Sequence, residues 1–179
     1  MKMSGEPILL TDKSRLQEIY DLRVAAWEAS ERATSVNRKA YPGGWAEELD
    51  MDAFHFVIFN EHNLIVASAR ISLHKSIEEL PCAASFKSFI LPEDRPFAFY
   101  SRLVVSPDYR SSFFFKKLDQ IRVEFLAKRQ IPFAIATCTE KRLKTILRLG
   151  FKILGKTKVQ YSDVGEENAM ILLLEDIKR

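Results

Sequence analysis

Glycine is scarce, with six in 179 residues, about half the ordinary usage of roughly 7%. The scarcity bears on phosphate binding, because loops that cradle phosphate favour glycine. Only two cysteines occur, Cys82 and Cys138, far apart in the chain. With His55, His62 and His74 they make no ligand-spaced zinc pattern, so no metal site is expected. No apolar run approaches the ~20 residues of a membrane span. The first residues lack the apolar core of a signal peptide. A cytoplasmic protein with reduced thiols is therefore expected. Charge of one sign is also missing. Lys+Arg 27 against Asp+Glu 24 leaves +3, short of the clustered basic excess of a nucleic-acid binder. There is no internal repeat and no low-complexity segment.

What is present suits one domain, residues 1–179, with 47% hydrophobic residues for its core. From Thr11 or Asp12 a helix is signalled by a capping residue followed by Leu16, Ile19, Tyr20, Val24 and Trp27, spaced to share a face. Residues 30–52, turn-rich around Tyr41-Pro42-Gly43-Gly44-Trp45, show no period. Phe54–Phe59 and Leu64–Leu73 are aromatic and β-branched around Asn60-Glu61-His62-Asn63, which reads as an antiparallel hairpin. Residues 77–94 read as a helical or irregular excursion, and Phe97–Val105 as a strand. A helix follows over about 112–128, with Phe114, Leu118, Ile121 and Phe125 on one face. Ile131–Cys138 is a buried strand. Thr139 caps a helix that Gly150 stops, and Phe151–Tyr161 and Ala169–Leu174 are a last pair of strands. Strand–helix–strand in the middle and hairpins on the flanks predict an α+β domain with one mixed, twisted sheet.

The informative stretch runs from Tyr100 to Leu118. A strand ends in Ser106-Pro107-Asp108, and Arg110 leads into a helix whose first-turn N–H groups and partial positive charge suit a pyrophosphate. An ordinary strand-to-helix turn with a surface arginine is the alternative. Val105-x-Pro107-x-Tyr109-Arg110 resembles the start of the acyl-CoA motif of the GNAT superfamily of N-acyltransferases, and Leu149-Gly150-Phe151 resembles that family's later signature. Both stand in the family's order, and the layout from Leu16 to Leu174 fits it.

The resemblance implies a three-layer α/β/α fold with a mostly antiparallel sheet, and an acyl group moved from acetyl-CoA or another acyl-CoA to the primary amine of a small molecule. It places Leu103, Val104 and Val105 along the pantetheine arm. Arg110, Ser111, Ser112, Phe113, Phe114 and Phe115 fall on the pyrophosphate, and Thr139 stands where the family often has an asparagine. Two departures are plain. Ser111, Phe113 and Phe115 replace glycines, and Ile146 stands where many members carry a tyrosine acid. The remaining candidate catalytic hydroxyls are Tyr100, Ser101 and Tyr109, and for the two tyrosines packing with a satisfied hydroxyl is the favoured reading. A GNAT-like binding module without catalysis is the reading from another class.

A narrower resemblance links Arg23…Trp27, Asp50-x-Asp52, Ala69-Arg70 and Ser101-Arg102 to acyl-homoserine-lactone synthases and N-acyl amino acid synthases. It implies acyl-carrier protein as an alternative donor, although Phe99 stands where those proteins commonly have glutamate. Arg70 and Arg102 lie inside apolar strands, where a charge must be paired. They read equally as a substrate-binding pair, with Asp50 and Asp52 beside them, or as partners of those acids. Phe54, Phe56, Phe97 and Phe99 read as core or as the lining of an acyl tunnel. Lys116-Lys117 and Lys141-Arg142 read as solvated helix faces or as contacts to phosphate or a carrier protein. Cys138 reads as a small core cysteine or an acyl-accepting thiol, His55 and His74 as surface or satisfied residues, and the last two strands could pair across a homodimer.

Overall fold

The computed structural model describes residues 5–30, 36–92, 95–110, 112–161, 165–175 and 177. Among the described residues seven strands form one sheet: β1 (Ile8–Leu9), β2 (Phe54–Phe59), β3 (Ile65–His74), β4 (Phe97–Val105), β5 (Phe133–Cys138), β6 (Lys152–Tyr161) and β7 (Gly165–Glu175), in the order β1-β2-β3-β4-β5-β7-β6. The helices are α1 (Leu16–Glu28), α2 (Phe114–Lys128) and α3 (Glu140–Leu147). Pairing is antiparallel for β1 with β2, β5 with β7 and β6 with β7, and parallel for β4 with β5. The sheet is therefore mixed and the class α+β, as the order of elements predicts.

Local chemistry explains the boundaries. Asp12 accepts from the Ser14 amide at 3.0 Å and opens a 3-10 turn that leads into α1. β2 and β4 span the aromatic, β-branched runs read from the sequence. The excursion after β3 holds two short 3-10 turns, Ile77–Glu79 and Ala83–Phe86, while residues 93 and 94 lie outside the described residues. Gly150 takes φ +97°, closed to most side chains, and ends the segment after α3. Thr139 sits at the α3 N-cap with its side chain making no capping bond. Thr139→Ala is therefore expected to change stability by less than about 0.5 kcal/mol in urea unfolding, rather than the ~1 kcal/mol of a bonded cap.

Two compact units emerge, residues 1–70 with 102–121, and residues 71–101 with 122–179. In the first, α1 buries Leu16, Ile19, Leu22 and Ala26 against Val57, Ile65 and Val104. In the second, Phe97, Phe99, Phe133, Ile135, Ile171 and Leu173 pack with Leu80 and Phe86. There Phe97 stacks on Phe133 at 5.2 Å and Phe99 meets Phe86 edge-on at 6.1 Å. Phe56 is also buried and Phe54 half-buried. Of the two readings of these phenylalanines, Phe97 and Phe99 take the core one.

Candidate active site

The first unit gathers a chain of charges. Arg23 on α1 grips Asp50 with both terminal nitrogens, at 2.7 and 2.8 Å. Asp50 also accepts from Arg70 on β3 at 2.8 Å, and Arg70 reaches Glu47 at 2.9 Å. Glu47 receives both Nε, at 2.6 Å, and a terminal nitrogen of Arg102 on β4. The Arg23 end of this chain of charges is closed to solvent and its Glu47–Arg102 end is partly open. Arg23 and Asp50 show none of their side chains to solvent, Arg70 1%, Arg102 9% and Glu47 15%.

The loop before β2 makes the arrangement possible. Glu47 and Asp50 form a reciprocal capping box around the 3-10 turn Glu48–Met51, so each carboxylate is fixed by backbone as well as by arginine. Trp45 supplies a flat surface, with the Arg102 guanidinium 4.3 Å from its ring and Trp27 of α1 meeting it edge-on at 5.5 Å. Arg102 adopts φ +51°, a conformation costing a non-glycine residue about 1–3 kcal/mol and concentrated at functional sites. The parallel register of β4 with β5 ends two residues earlier, at Tyr100↔Ala136.

Burial alone would raise the Asp50 carboxyl, but Arg23 and Arg70 overcome it and hold the group far below the usual carboxylate range. Glu47 follows the same logic: burial opposes ionisation, and the Arg102 bond and nearby guanidiniums still lower its pKa. Both acids are ionised at neutral pH and are poor proton acceptors. His55 is pushed down by burial, partly offset by the Asp50 carbonyl that its Nε2 meets at 3.0 Å. Nδ1 of His55, Nε of Arg23 and Nε1 of Trp45 are buried without a hydrogen bond.

The substrate-binding candidates Arg70, Arg102 and Asp50 thus come together, and Asp52 does not; it is exposed at the end of the turn. Within the described residues the ion-pair reading accounts for Arg70, with Glu47 in the place proposed for Asp52. Glu47 and Trp45 were missed because residues 30–52 carry no periodicity. The signal was the Glu-x-x-Asp capping box, three residues apart.

The donor candidates occupy the end of β4 and the start of α2. Leu103 and Val105 are half-buried and Val104 is core. Arg110 donates to the Ala29 carbonyl at 2.6 Å and the Ala26 carbonyl at 2.9 Å, both at the end of α1. Ser111 lies outside the described residues. Ser112 accepts from the Phe114 amide at 3.4 Å. Phe114 is buried and stacks on Tyr109 at 5.9 Å, while Phe115 is half-buried. Phe113 is 66% exposed beneath the Lys116 ammonium, 4.7 Å from its ring centre. The bulky side chains that replace glycine here are thus spent on packing and on a cation. Lys117 is held by the Gly5 carbonyl and Glu6.

Of the candidate hydroxyls, Tyr100 is buried, with Arg122 4.2 Å over its ring and Phe151 edge-on at 5.2 Å. Ser101 is half-buried beside Arg102. The Tyr109 hydroxyl accepts from Asn60 at 3.4 Å. Ile146 is core and Cys138 is buried. His74 is buried and meets Ser72 at 2.7 Å. In the second unit, Glu140, Lys156, Thr157, Lys158, Asn168 and Met170 line a cavity of about 620 Å³. Among the described residues no group of three His, Cys, Asp or Glu could hold a metal, and no helix is long and apolar enough to cross a membrane.

No protein-family model matches the sequence. A search of curated proteins finds no match either. Solved structures do match, over nearly the whole chain. FeeM, an N-acyl amino acid synthase from uncultured soil microbes, superposes with a TM-score of 0.71 at 14% identity, covering 97% of this chain and 92% of its own. The CoA-dependent acyl-homoserine lactone synthase BjaI, solved with SAM and isopentyl-CoA, gives 0.65 at 16%, covering 96% and 83%. The ribosomal-protein-S18-alanine N-acetyltransferase from Escherichia coli gives 0.61 at 16%, covering 98% and 95%.

Proposed function

We propose that this chain, which has the fold of the GNAT-type N-acyltransferases, moves an acyl group from a pantetheine thioester to a primary amine. The observation that carries the reading is the strand-to-helix passage of the first unit. β4 takes φ +51° at Arg102, continues through Leu103–Val105, and is followed by a Pro107–Tyr109 turn ahead of α2. That passage brings the end of a strand to a helix N-terminus, and a helix N-terminus suits a diphosphate. The likeness to BjaI, solved with isopentyl-CoA, supports acyl-CoA as the donor. The likeness to FeeM, an N-acyl amino acid synthase, keeps within the same reading the alternative that the Arg70 and Arg102 resemblance implies, acyl-carrier protein as donor.

The reaction asks little of side chains. The neutral amine nitrogen attacks the thioester carbonyl carbon, and a strand N–H stabilises the oxyanion. Collapse breaks the C–S bond, the thiolate leaves, and the amine proton passes to water. A thiolate leaving group needs little acid assistance, so Ile146 in the tyrosine position does not block turnover. Tyr109, half-buried with its hydroxyl accepting from Asn60, is the candidate acid of the first unit. Arg102, the solvent-reaching arginine of the charge chain, would orient an acceptor bearing a carboxylate.

Calorimetry with acetyl-CoA and a long-chain acyl-CoA, followed by thiol release in the presence of an amine panel, tests the reading. Binding plus amine-dependent thiol release is the expected result, and the chain-length preference names the donor. Failure of both thioesters to bind would leave a GNAT-like module without catalysis.

A further inference from the structure

We propose that Arg110 is a positioning residue with two alternative partners: the last carbonyls of α1, and the diphosphate of the acyl donor. Exchanging one for the other transmits donor occupancy to Trp27, Trp45 and Arg102. The donor half of this exchange rests on the acyl-transfer reading.

The free protein shows the first state. Both terminal nitrogens of Arg110 are spent on Ala26 and Ala29, at 2.9 and 2.6 Å. α1 has no basic residue of its own in its last turn, so the guanidinium supplies the cation that its exposed carbonyls favour. These acceptors are neutral and the arginine is exposed. A diphosphate offers charged oxygens to the same fork, and such bonds are roughly twice as strong. The donor can therefore take Arg110 from the helix.

Release is felt along a short path. Trp27 lies in the turn that Arg110 holds, Trp27 meets Trp45 at 5.5 Å, and Trp45 carries the Arg102 guanidinium at 4.3 Å. The amides of Ala29 and Ser30 close that turn onto Ala25 and Trp27. Loosening the turn thus alters both the tryptophan pair and the surface under Arg102. Trp27 and Trp45 are the chain's two tryptophans, so tryptophan emission comes from this path.

The test titrates the full chain with CoA, and with pantetheine as the probe lacking the diphosphate. Expected for the unmodified protein are a shift in tryptophan emission and several-fold faster hydrogen exchange at Ala29 and Ser30 with CoA, and neither with pantetheine. Arg110→Ala is expected to show the CoA-bound emission and exchange before any ligand is added, with no further change on binding. Arg110→Lys, one ammonium in place of a fork, is expected to restore CoA affinity more than it restores the α1 contact. Calorimetric CoA binding with unchanged emission and exchange would overturn the proposal, as would a full response in Arg110→Ala. Absence of any CoA binding would instead remove the acyl-CoA reading, and leave Arg110 as a helix cap.

Discussion

Asp50→Asn is expected to cost about 3–5 kcal/mol, the range for breaking a buried ion pair by removing one partner. Asp50 is fully buried and bonded to Arg23 through two nitrogens and to Arg70 through one. An amide of the same shape keeps the volume, but removes the charge that two buried guanidiniums require, and it turns N–H donors toward them. Loss of structure would follow in the loop that carries Trp45 and Glu47, since the Asp50 carboxylate also accepts from the Glu47 amide at 2.8 Å. Urea unfolding of both proteins measures the effect, and a loss under 1 kcal/mol would mean that Arg23 and Arg70 find other partners.

The same substitution carries a pH signature. Asp50 and Glu47 both have folded pKa values below their ordinary ones, despite burial, because arginines face them. A depressed folded pKa gives stability that is present above the unfolded pKa and lost as pH falls through the folded one. The gap between the original protein and Asp50→Asn is therefore expected to stay constant above about pH 5, and to narrow below about pH 4. A gap unchanged down to pH 2 would show that the carboxylate charge is not what stabilises the loop.

The order of elements was legible because aromatic and β-branched runs mark strands wherever they are continuous, as in Phe54–Phe59 and Phe97–Val105. β1 was not, since two residues, Ile8 and Leu9, carry no period, and their strand exists only through pairing with Phe56 and Val57. Arg70 and Arg102 stood out as charges inside apolar strands. Their partners split by geometry that spacing leaves open. The turn at Glu48–Met51 buries Asp50 while its last residue, Asp52, faces solvent. Arg110 shows the limit most clearly: its neighbours in sequence suggest a phosphate ligand, yet its partners lie 81 and 84 residues away on α1. Such contacts depend on how α1 and the β4–α2 passage meet within the first unit, which no local pattern encodes.

Two adjacent glycines give the second large effect and its own control. Gly44 has φ +84°, and a β-carbon there would stand 2.7 Å from the Tyr20 β-carbon and 3.0 Å from the Tyr20 carbonyl carbon. The turn closes through the Gly44 amide onto the Tyr41 carbonyl, and the Trp45 amide bonds to the Tyr20 carbonyl at 3.0 Å. The backbone is thus pressed against α1 just where it delivers Trp45 and Glu47. Gly44→Ala adds left-handed strain to an overlap with backbone, and about 2–5 kcal/mol of stability is expected to go. Gly43 meets nothing within 4 Å of a built β-carbon, and Gly43→Ala is expected to fall within about 0.5 kcal/mol of the original. Thermal unfolding of the pair separates the causes. Equal losses would point to a general dislike of side chains in this turn. A loss confined to Gly44→Ala, accompanied by altered tryptophan emission, would show that close approach to Tyr20 is what seats Trp45 beneath Arg102.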